Sequence, residues 1–388
     1  MTLPTHAPDD RAWGSPVVDP VELRFALADT PFMAYDLTRV ATGVHRFQEA
    51  FAGRVAVRYA VKCNPDPRVL WTAADAGAGF EVASLGELEL LSGLDLLDAP
   101  HVLYSNPVKA PAHVAGAFDL GVRRFAVDSR EELEKLSRWA PGSEIYVRVR
   151  VDDSSSRFPL SSKFGVGHDE ARRLLSDAPS LGLVPAGLTF HVGSQCTDVD
   201  AWAHAVSLCG PVMTSLLKEG IRLCLLDLGG GFPAHYGNED VPELGDIAAG
   251  VLTALEGLPY LPEDVVCEPG RAIVAEAATL ATSVIGRAER NGRPWVYLDV
   301  GAYNGLMECA QTMGRMNLPL RTDRPTGPLV RCTVTGPSCD SSDTLFQDAA
   351  LPADLEVGDR VYVGSAGAYS LCYAAPFNGF PVPVPVYL

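Results

Sequence analysis

An α/β fold, a (β/α)8 barrel followed by an all-β domain, is predicted by three features of the sequence. Eight runs rich in valine, leucine and aromatics alternate with helix-like runs between residues 54 and 268. Short polar or glycine-rich motifs stand at the ends of several of those runs, where barrels of this kind keep their chemistry. From about residue 280 the rhythm changes to strands joined by turns, with no long helical pattern. The boundaries read as 38–279 for the barrel, and 1–37 with 280–388 for a β-sandwich or β-barrel-like domain, since a leading strand often completes a C-terminal sheet. A doubly wound open sheet is the structural rival to the barrel.

In order, the first run spans 54–61 and stops at Asn64-Pro65-Asp66-Pro67, which is turn chemistry. An Ala/Leu-rich helix is predicted over 67–77. Pairs follow at 79–83 and 85–91, 101–105 and 112–120, 124–127 and 130–139. The run 144–151 leads through a polar loop to a helix at 169–175. The run 186–191 precedes a long helix at 198–219. The runs 223–228 and 264–268 each end in a turn. In the second half, strands are predicted at 282–287, 295–300, 330–335 and 360–363. The stretch 382–386 is extended, but its alternating prolines make it an edge strand at best.

Composition excludes several classes. The net charge of −17 argues against non-specific nucleic-acid binding. No run is long and apolar enough to span a bilayer. The opening MTLPTHAPDDRAWG lacks a basic segment followed by an apolar core, so no signal peptide is expected. The nine cysteines are scattered and form no CxxC pair, which suggests reduced thiols in a cytoplasm. No metal site is expected, because no histidine or cysteine cluster has ligand spacing. Only five of the 31 basic residues are lysines. Against that bias, Lys62 at the end of the first strand gains weight as a chemical choice, because lysine can lose its proton and form an imine. A solvent-facing lysine at a strand end is the alternative.

Five further motifs, at predicted strand ends of the barrel or in the β half, define one chemical need: HVGSQC with His191 and Ser194, GGGF with Gly230 and Gly231, EPGR with Glu268, Gly270 and Arg271, GPSCDSSD with Cys339 and Asp340, and GAYS with Tyr369. Glycine-loop N–H groups, an arginine and a tyrosine hydroxyl can hold a phosphate dianion. A lysine can bond to an aldehyde, a carboxylate can pair with a protonated pyridine nitrogen, and an imidazole can lie on an aromatic ring. Phosphate, aldehyde and pyridine together describe pyridoxal 5'-phosphate.

With these motifs in place, the chain resembles the PLP-dependent decarboxylases of the alanine racemase-like barrel fold (ornithine, lysine, arginine and diaminopimelate decarboxylases). The resemblance runs from about Phe32 to Phe380. It rests on YAVKCN, DDSSSRFPLSSKFG, FHVGSQC, DLGGGFP, EPGRAIV, GPSCDSSD and GAYS with FNGF, in the family's order, and the ornithine and lysine enzymes have the most similar forms. It implies a PLP-dependent amino-acid decarboxylase yielding an amine and CO2. Lys62 would be the Schiff-base lysine, Glu81 an acid near the phenolic oxygen, and Arg148 an arginine behind the ring. His191 would stack on the ring. Ser194, Gly230, Gly231, Gly270, Arg271 and Tyr369 would hold the phosphate, and Glu268 the pyridine nitrogen. Cys339 would protonate Cα and Asp340 would meet the distal end of the substrate, both from the second subunit of a homodimer. Tyr303 and Phe377 would line the substrate site. Racemases of this fold carry arginine where Glu268 stands, so a racemase is the disfavoured alternative. A non-catalytic homologue is the other, disfavoured because every cofactor position is kept.

The sequence departs from ornithine decarboxylases at one place. Aligned on Gly301 and Tyr303, LDVGAYNGLMEC puts Val300 where the family's distal-amine aspartate stands. Asp299 is one residue early and would point to the other face of a strand. Ornithine or lysine itself, or a relative modified at the distal end, is therefore the expected substrate.

Overall fold

The computed structural model describes residues 29–388 except 238, 317 and 324–326. Residues 1–28, part of the segment expected to join the β domain, and with them the stretch read for a signal peptide, lie outside the described residues. Two compact units emerge. One comprises 40–233 and 241–273. The other comprises the described residues up to Arg39, together with 234–240 and 274–388.

The first unit is a closed, all-parallel barrel of eight strands in the order β10-β11-β2-β3-β4-β5-β6-β8. These are β2 (Ala56–Ala60), β3 (Gly79–Val82), β4 (Leu103–Tyr104), β5 (Arg124–Val127), β6 (Glu144–Arg148), β8 (Val184–Thr189), β10 (Leu225–Asp227) and β11 (Asp264–Cys267). All eight fall within the runs read from the sequence, or extend two residues beyond one. Their inward side chains pack as Leu103, Ala126, Tyr146, Leu225 and Val266, the apolar filling such a barrel needs. At the strand starts, Arg124 bridges Glu144 at 2.9 Å and Asp264 at 2.6 Å, tying β5, β6 and β11.

Helices separate the strands because the intervening sequence supplies both caps and an apolar stripe. In α2 (Pro67–Asp75), Asp66 caps the first turn by accepting from the N–H groups of Arg68 and Val69, and Pro67 occupies the first helical position. Ser84 and Ser129 cap α3 (Leu85–Gly93) and α5 (Arg130–Trp139) in the same way. The remaining helices are α4 (Pro111–Asp119), α6 (His168–Asp177), α7 (Ala201–Lys218) and the four-residue α9 (Arg271–Val274). Two long helices escaped the sequence reading, α1 (Leu37–Ala50) and α8 (Leu244–Glu256), as did the short α9 and a five-residue helix at Met307–Gln311 in the second unit. The two long ones carry internal glycine, which weakens helical propensity, and both are held by a packed face, Val40, Val44 and Phe47 in one and Ile247, Ala248, Val251 and Leu255 in the other. A short antiparallel pair, β7 (Ser156–Phe158) with β9 (Ser194–Cys196), was also unread.

The second unit is built on a mixed eight-stranded sheet. Its path is β14 (Leu320–Thr322), β17 (Arg360–Val363), β12 (Ala278–Arg290), β13 (Arg293–Leu298), β15 (Leu329–Thr335) and β16 (Thr344–Pro352). β1 (Phe32–Tyr35) pairs antiparallel with the start of β12 and parallel with β18 (Val384–Tyr387). β18 pairs with β1 alone, an edge position that its proline tolerates. β1 is almost completely enclosed, with Phe32, Met33 and Ala34 at 0% exposure. Among the described residues, no helix is long and apolar enough to cross a membrane.

Candidate active site

In the barrel unit the sequence-predicted residues gather at the C-terminal strand ends. The run that raised the question of Lys62 ends at Ala60, and Lys62 sits in the single 3-10 turn that follows (Val61–Cys63). Its Nζ is paired with Oε2 of Glu81, the third residue of β3, which is 1% exposed. Burial alone would lower the proton affinity of Lys62, but the carboxylates of Glu81 and Glu268 outweigh it and raise it above the ordinary value. Arg148 is the last residue of β6, and its guanidinium lies 5.4 Å from the ring of Phe164.

His191 follows β8. Its Nδ1 accepts the N–H of Gly193 at 3.0 Å, so a neutral ring carries its proton on Nε2. Burial, reinforced by the positive charges of Arg148 and Lys62, holds its pKa well below the usual histidine value. The ring is therefore a neutral, flat surface at ordinary pH.

The glycine loop after β10 packs backbone against backbone. Gly231 has φ +100°, and a Cβ there would lie 2.4 Å from the carbonyl oxygen of Gly193; a Cβ on Gly230 would lie 2.7 Å from that of Glu268. Three bonds lock the loop: Cys196 N–H to Gly231 O at 3.0 Å, Glu268 N–H to Gly229 O at 2.8 Å, and Trp202 Nε1–H to Gly230 O at 3.3 Å. Beside it, Arg271 donates to Ser194 Oγ from Nε at 3.3 Å and Nη2 at 3.1 Å, and its guanidinium lies 5.3 Å from the ring of Phe158. A fixed arginine, a hydroxyl and a side-chain-free loop make an anion site. The DDSSSRFPLSSKFG block thus supplies an aromatic ring to each of the two arginines. Buried Asp153 fixes it by accepting from Ser161 N at 2.7 Å and Leu160 N at 2.5 Å.

Glu268 lies one residue beyond β11 and is 6% exposed. Its Oε1 accepts from Ser105 Oγ, which is also bonded to Tyr146 OH at 2.8 Å. Burial, together with the nearby Asp227 and Glu81, pushes its carboxyl well above the usual range. Ser105, Tyr146, Asp227 and Glu87 were not singled out from sequence. Asp227 stood in view at the head of DLGGGFP, and Glu87 is a second acid six residues after Glu81. Glu87 is pushed up to about 7 by burial and by Glu81, while its Oε2 accepts the Ala83 N–H at 2.6 Å.

In the β unit a second, exposed group forms from three segments. Tyr303 OH donates to Asp340 Oδ2 at 2.7 Å, and Ser342 donates to Oδ1 from N at 2.9 Å and from Oγ at 2.8 Å. These donors, the Ser342 N–H foremost, hold the Asp340 carboxyl below its ordinary value. The rings of Tyr303 and Phe377 are 4.4 Å apart, and Cys339 Sγ lies 3.6 Å from Asn378 Oδ1. Buried Asp343 staples two of the segments, accepting from Ala302 N at 2.7 Å and Ser338 N at 3.1 Å. Tyr369, at φ +53°, stacks on Tyr373 at 6.0 Å in the same unit. Val300 does not join this exposed group: it is fully enclosed, with Cγ2 against Gly305. Asp299 is used internally. It accepts from Thr282 Oγ1, from Ser283 N at 3.1 Å and from Thr30 Oγ1 at 2.5 Å.

A barrel presenting an amine, a neutral imidazole, an anion cradle and a buried acid at its strand ends suits an aldehyde-bearing pyridine phosphate, and the comparisons agree. Residues 37–275 match the family described as pyridoxal-dependent decarboxylase, pyridoxal binding domain. The lysine/ornithine decarboxylase of Selenomonas ruminantium is 35% identical over 355 residues, covering 90% of this chain and 88% of its own. The solved Vibrio vulnificus lysine/ornithine decarboxylase, complexed with cadaverine, superposes with a TM-score of 0.85 at 33% identity, covering 95% of this chain and 97% of that one. The Paramecium bursaria Chlorella virus arginine decarboxylase, bound to agmatine, gives 0.87 at 27% identity, covering 95% and 100%. The chain belongs to the pyridoxal-dependent decarboxylase family. It is a carboxy-lyase acting on an amino acid, with pyridoxal 5'-phosphate as cofactor.

Proposed function

We propose that this enzyme decarboxylates a basic L-amino acid of the ornithine or lysine class, or a relative modified at its distal end, in a cytoplasmic homodimer with shared sites. The observation that carries this is the split between cofactor-type residues gathered at the barrel's strand ends and an exposed Asp340–Tyr303–Phe377–Cys339 group in the β unit. The nine cysteines, scattered and with no CxxC pair, support a reducing compartment.

The residues suit the cofactor. Lys62 would hold its aldehyde end, Glu268 its ring nitrogen, and Ser194, Gly230, Gly231, Gly270 and Arg271 its phosphate. Once bound, PLP supplies an electron-accepting ring and a carbonyl that engages an amine. Lys62 must shed a proton before its Nζ can act as nucleophile, and Glu81, already paired with Nζ, is the acceptor in place. Neutral His191 would face the cofactor's ring without adding positive charge. Arg148, backed by Phe164, would offset the negative charge of Glu268 and its acidic neighbours. Cys339 and Asp340 complete the site of a second subunit. The thiol holds the proton destined for Cα, and Asp340, fixed by three donors, keeps a carboxylate toward the distal group.

One carboxylate where the family's ornithine enzymes place two suits a hydrogen-bond-donating distal group better than a fully desolvated ammonium. CO2 release should be measured with added PLP across L-ornithine, L-lysine, L-arginine, meso-diaminopimelate and distally modified analogues. Turnover of a basic or modified substrate is expected. Release from none of them sinks the substrate assignment, and ordinary efficiency with L-ornithine removes the role given to position 300.

A further inference from the structure

The short strand β7 is knotted at its start and laddered along its length. Buried Asp153 accepts the N–H groups of Leu160 and Ser161 through Oδ2, and its backbone carbonyl accepts the Ser156 N–H at 3.0 Å. From there β7 pairs antiparallel with β9, with Ser156 opposite Cys196 and Phe158 opposite Ser194. β9 is itself bonded to the glycine loop through the Cys196 N–H and Gly231 O at 3.0 Å. Directly opposed residues of paired strands project from the same face, and here both reach buried Arg271. Its guanidinium carbon lies 5.3 Å from the centre of the Phe158 ring, while Nε and Nη2 donate to Ser194 Oγ at 3.3 and 3.1 Å. Ser194 Oγ accepts both bonds, so its own O–H is left to donate to an anion.

We propose that Phe158 is a positioning residue for Arg271: its ring holds the guanidinium beside Ser194 and the glycine loop, and so favours the phosphorylated cofactor over pyridoxal. This rests on the reading that Arg271 and Ser194 hold the phosphate. The cation sits over the ring within the distance at which the ring's negative face attracts it. That contact uses no N–H donor, so both bonds to Ser194 persist beside it. The ring also keeps water from one side of the guanidinium, and with less water the attraction between a cation and a phosphate dianion grows. An arginine already held in one rotamer loses less freedom when an anion arrives. A leucine in the same place would fill space and exclude water, but it would offer the cation no electrostatic attraction. The ladder fixes Phe158 opposite Ser194, and the bond from Cys196 fixes β9 to the loop, so the ring, the hydroxyl and the glycine backbone move as one piece.

The test is equilibrium binding of PLP and of pyridoxal to the full chain freed of cofactor, followed by the visible absorbance of the bound aldehyde. Phe158→Leu should raise the PLP dissociation constant about 5- to 20-fold and leave that of pyridoxal within about twofold. Phe158→Tyr keeps an aromatic face and should bind PLP within about twofold of wild type. In an Arg271→Gln background, Phe158→Leu should add almost nothing, since the ring then has no cation to hold. Phe158→Met takes the place of Phe158→Leu should the latter fail to fold. Equal weakening of PLP and pyridoxal makes Phe158 a structural residue and overturns the proposal, as does a tyrosine that fails to restore binding or an undiminished effect in the Arg271→Gln background. A wild type that binds PLP no more tightly than pyridoxal strikes the phosphate reading of Arg271 itself, a result distinct from any change at Phe158.

Discussion

The barrel unit and the β unit handle charge in opposite ways. In the barrel, Lys62 meets three buried acids, Glu81, Glu268 and Asp227, and the proton affinities of Lys62, Asp227 and Glu268 are altered by burial and by neighbouring charge. In the β unit, Asp340 remains at the surface and is steadied by three hydrogen-bond donors, with exposed Cys339 and Phe377 beside it. The first arrangement is buried and costly to disturb. The second is a presented surface that gains its meaning only against something else. The difference teaches where to look for cofactor chemistry and where for recognition: on the proposed reading, the buried network would set reactivity, and the exposed group would set the partner and the substrate.

The sharpest way to break that division is to damage each side separately and mix. Lys62→Ala should drop CO2 release to background, roughly 10^3-fold or more, as should Cys339→Ala if it serves the protonation step. Mixing the two inactive proteins under exchange conditions should restore about a quarter of wild-type activity, since half the dimers would be mixed and each would hold one intact site. No recovery would place both residues in one subunit's site. A second test probes the exposed side alone. Asp340→Ala should lower kcat/KM by roughly 10–100-fold for a substrate with a charged distal group and leave the melting temperature unchanged, because the residue is exposed. A large fall in thermal stability would make it a structural residue. Gly231→Ala probes the buried side: with φ +100° and no room for a Cβ, it should weaken PLP binding and cost about 1–3 kcal/mol in stability by thermal unfolding.

The smallest effect tests burial itself. Glu87 has a folded pKa raised to about 7. A raised carboxyl contributes most below its unfolded value and loses that contribution as pH climbs through the folded one. Glu87→Gln keeps an acceptor for the Ala83 N–H and removes the charge. It should stabilise the chain by about 1–3 kcal/mol at mildly alkaline pH, the gain shrinking to nothing below about pH 4.5. A gain independent of pH would sink that account.

The eight barrel strands were legible because each lies in a mainly apolar run bounded by turns, several of them ending beside a residue with chemistry, such as Lys62 or His191. The helix α8 went unread although LGDIAAGVLTALE is rich in alanine and leucine and repeats Ile247, Val251 and Leu255 at four-residue spacing; its two glycines and the turn-rich stretch before it masked the pattern. β16 was also missed. Its TLFQDAALP lacks alternation, and pairing with β15 defines it. In the site, motif residues could be read singly, whereas Ser105, Tyr146 and Asp227 matter through Glu268 and come from strands far apart in sequence. That Val300 is enclosed and Asp299 spent on Thr282, Ser283 and Thr30 depends on packing that alignment cannot show.

The four residues of β1 have a consequence for synthesis. Phe32 pairs with Ala281 on one side and with Val384 on the other. During translation the strand emerges early, apolar and unpaired, and must wait for nearly the whole chain before both neighbours exist. The barrel strands are all available once Cys267 has left the ribosome. Reactivity can therefore be assembled first, and the surface carrying Cys339 and Asp340 last. In a nascent chain, β1 is the segment that most needs shielding from other strands, and a truncation before Val384 would leave it open on one edge.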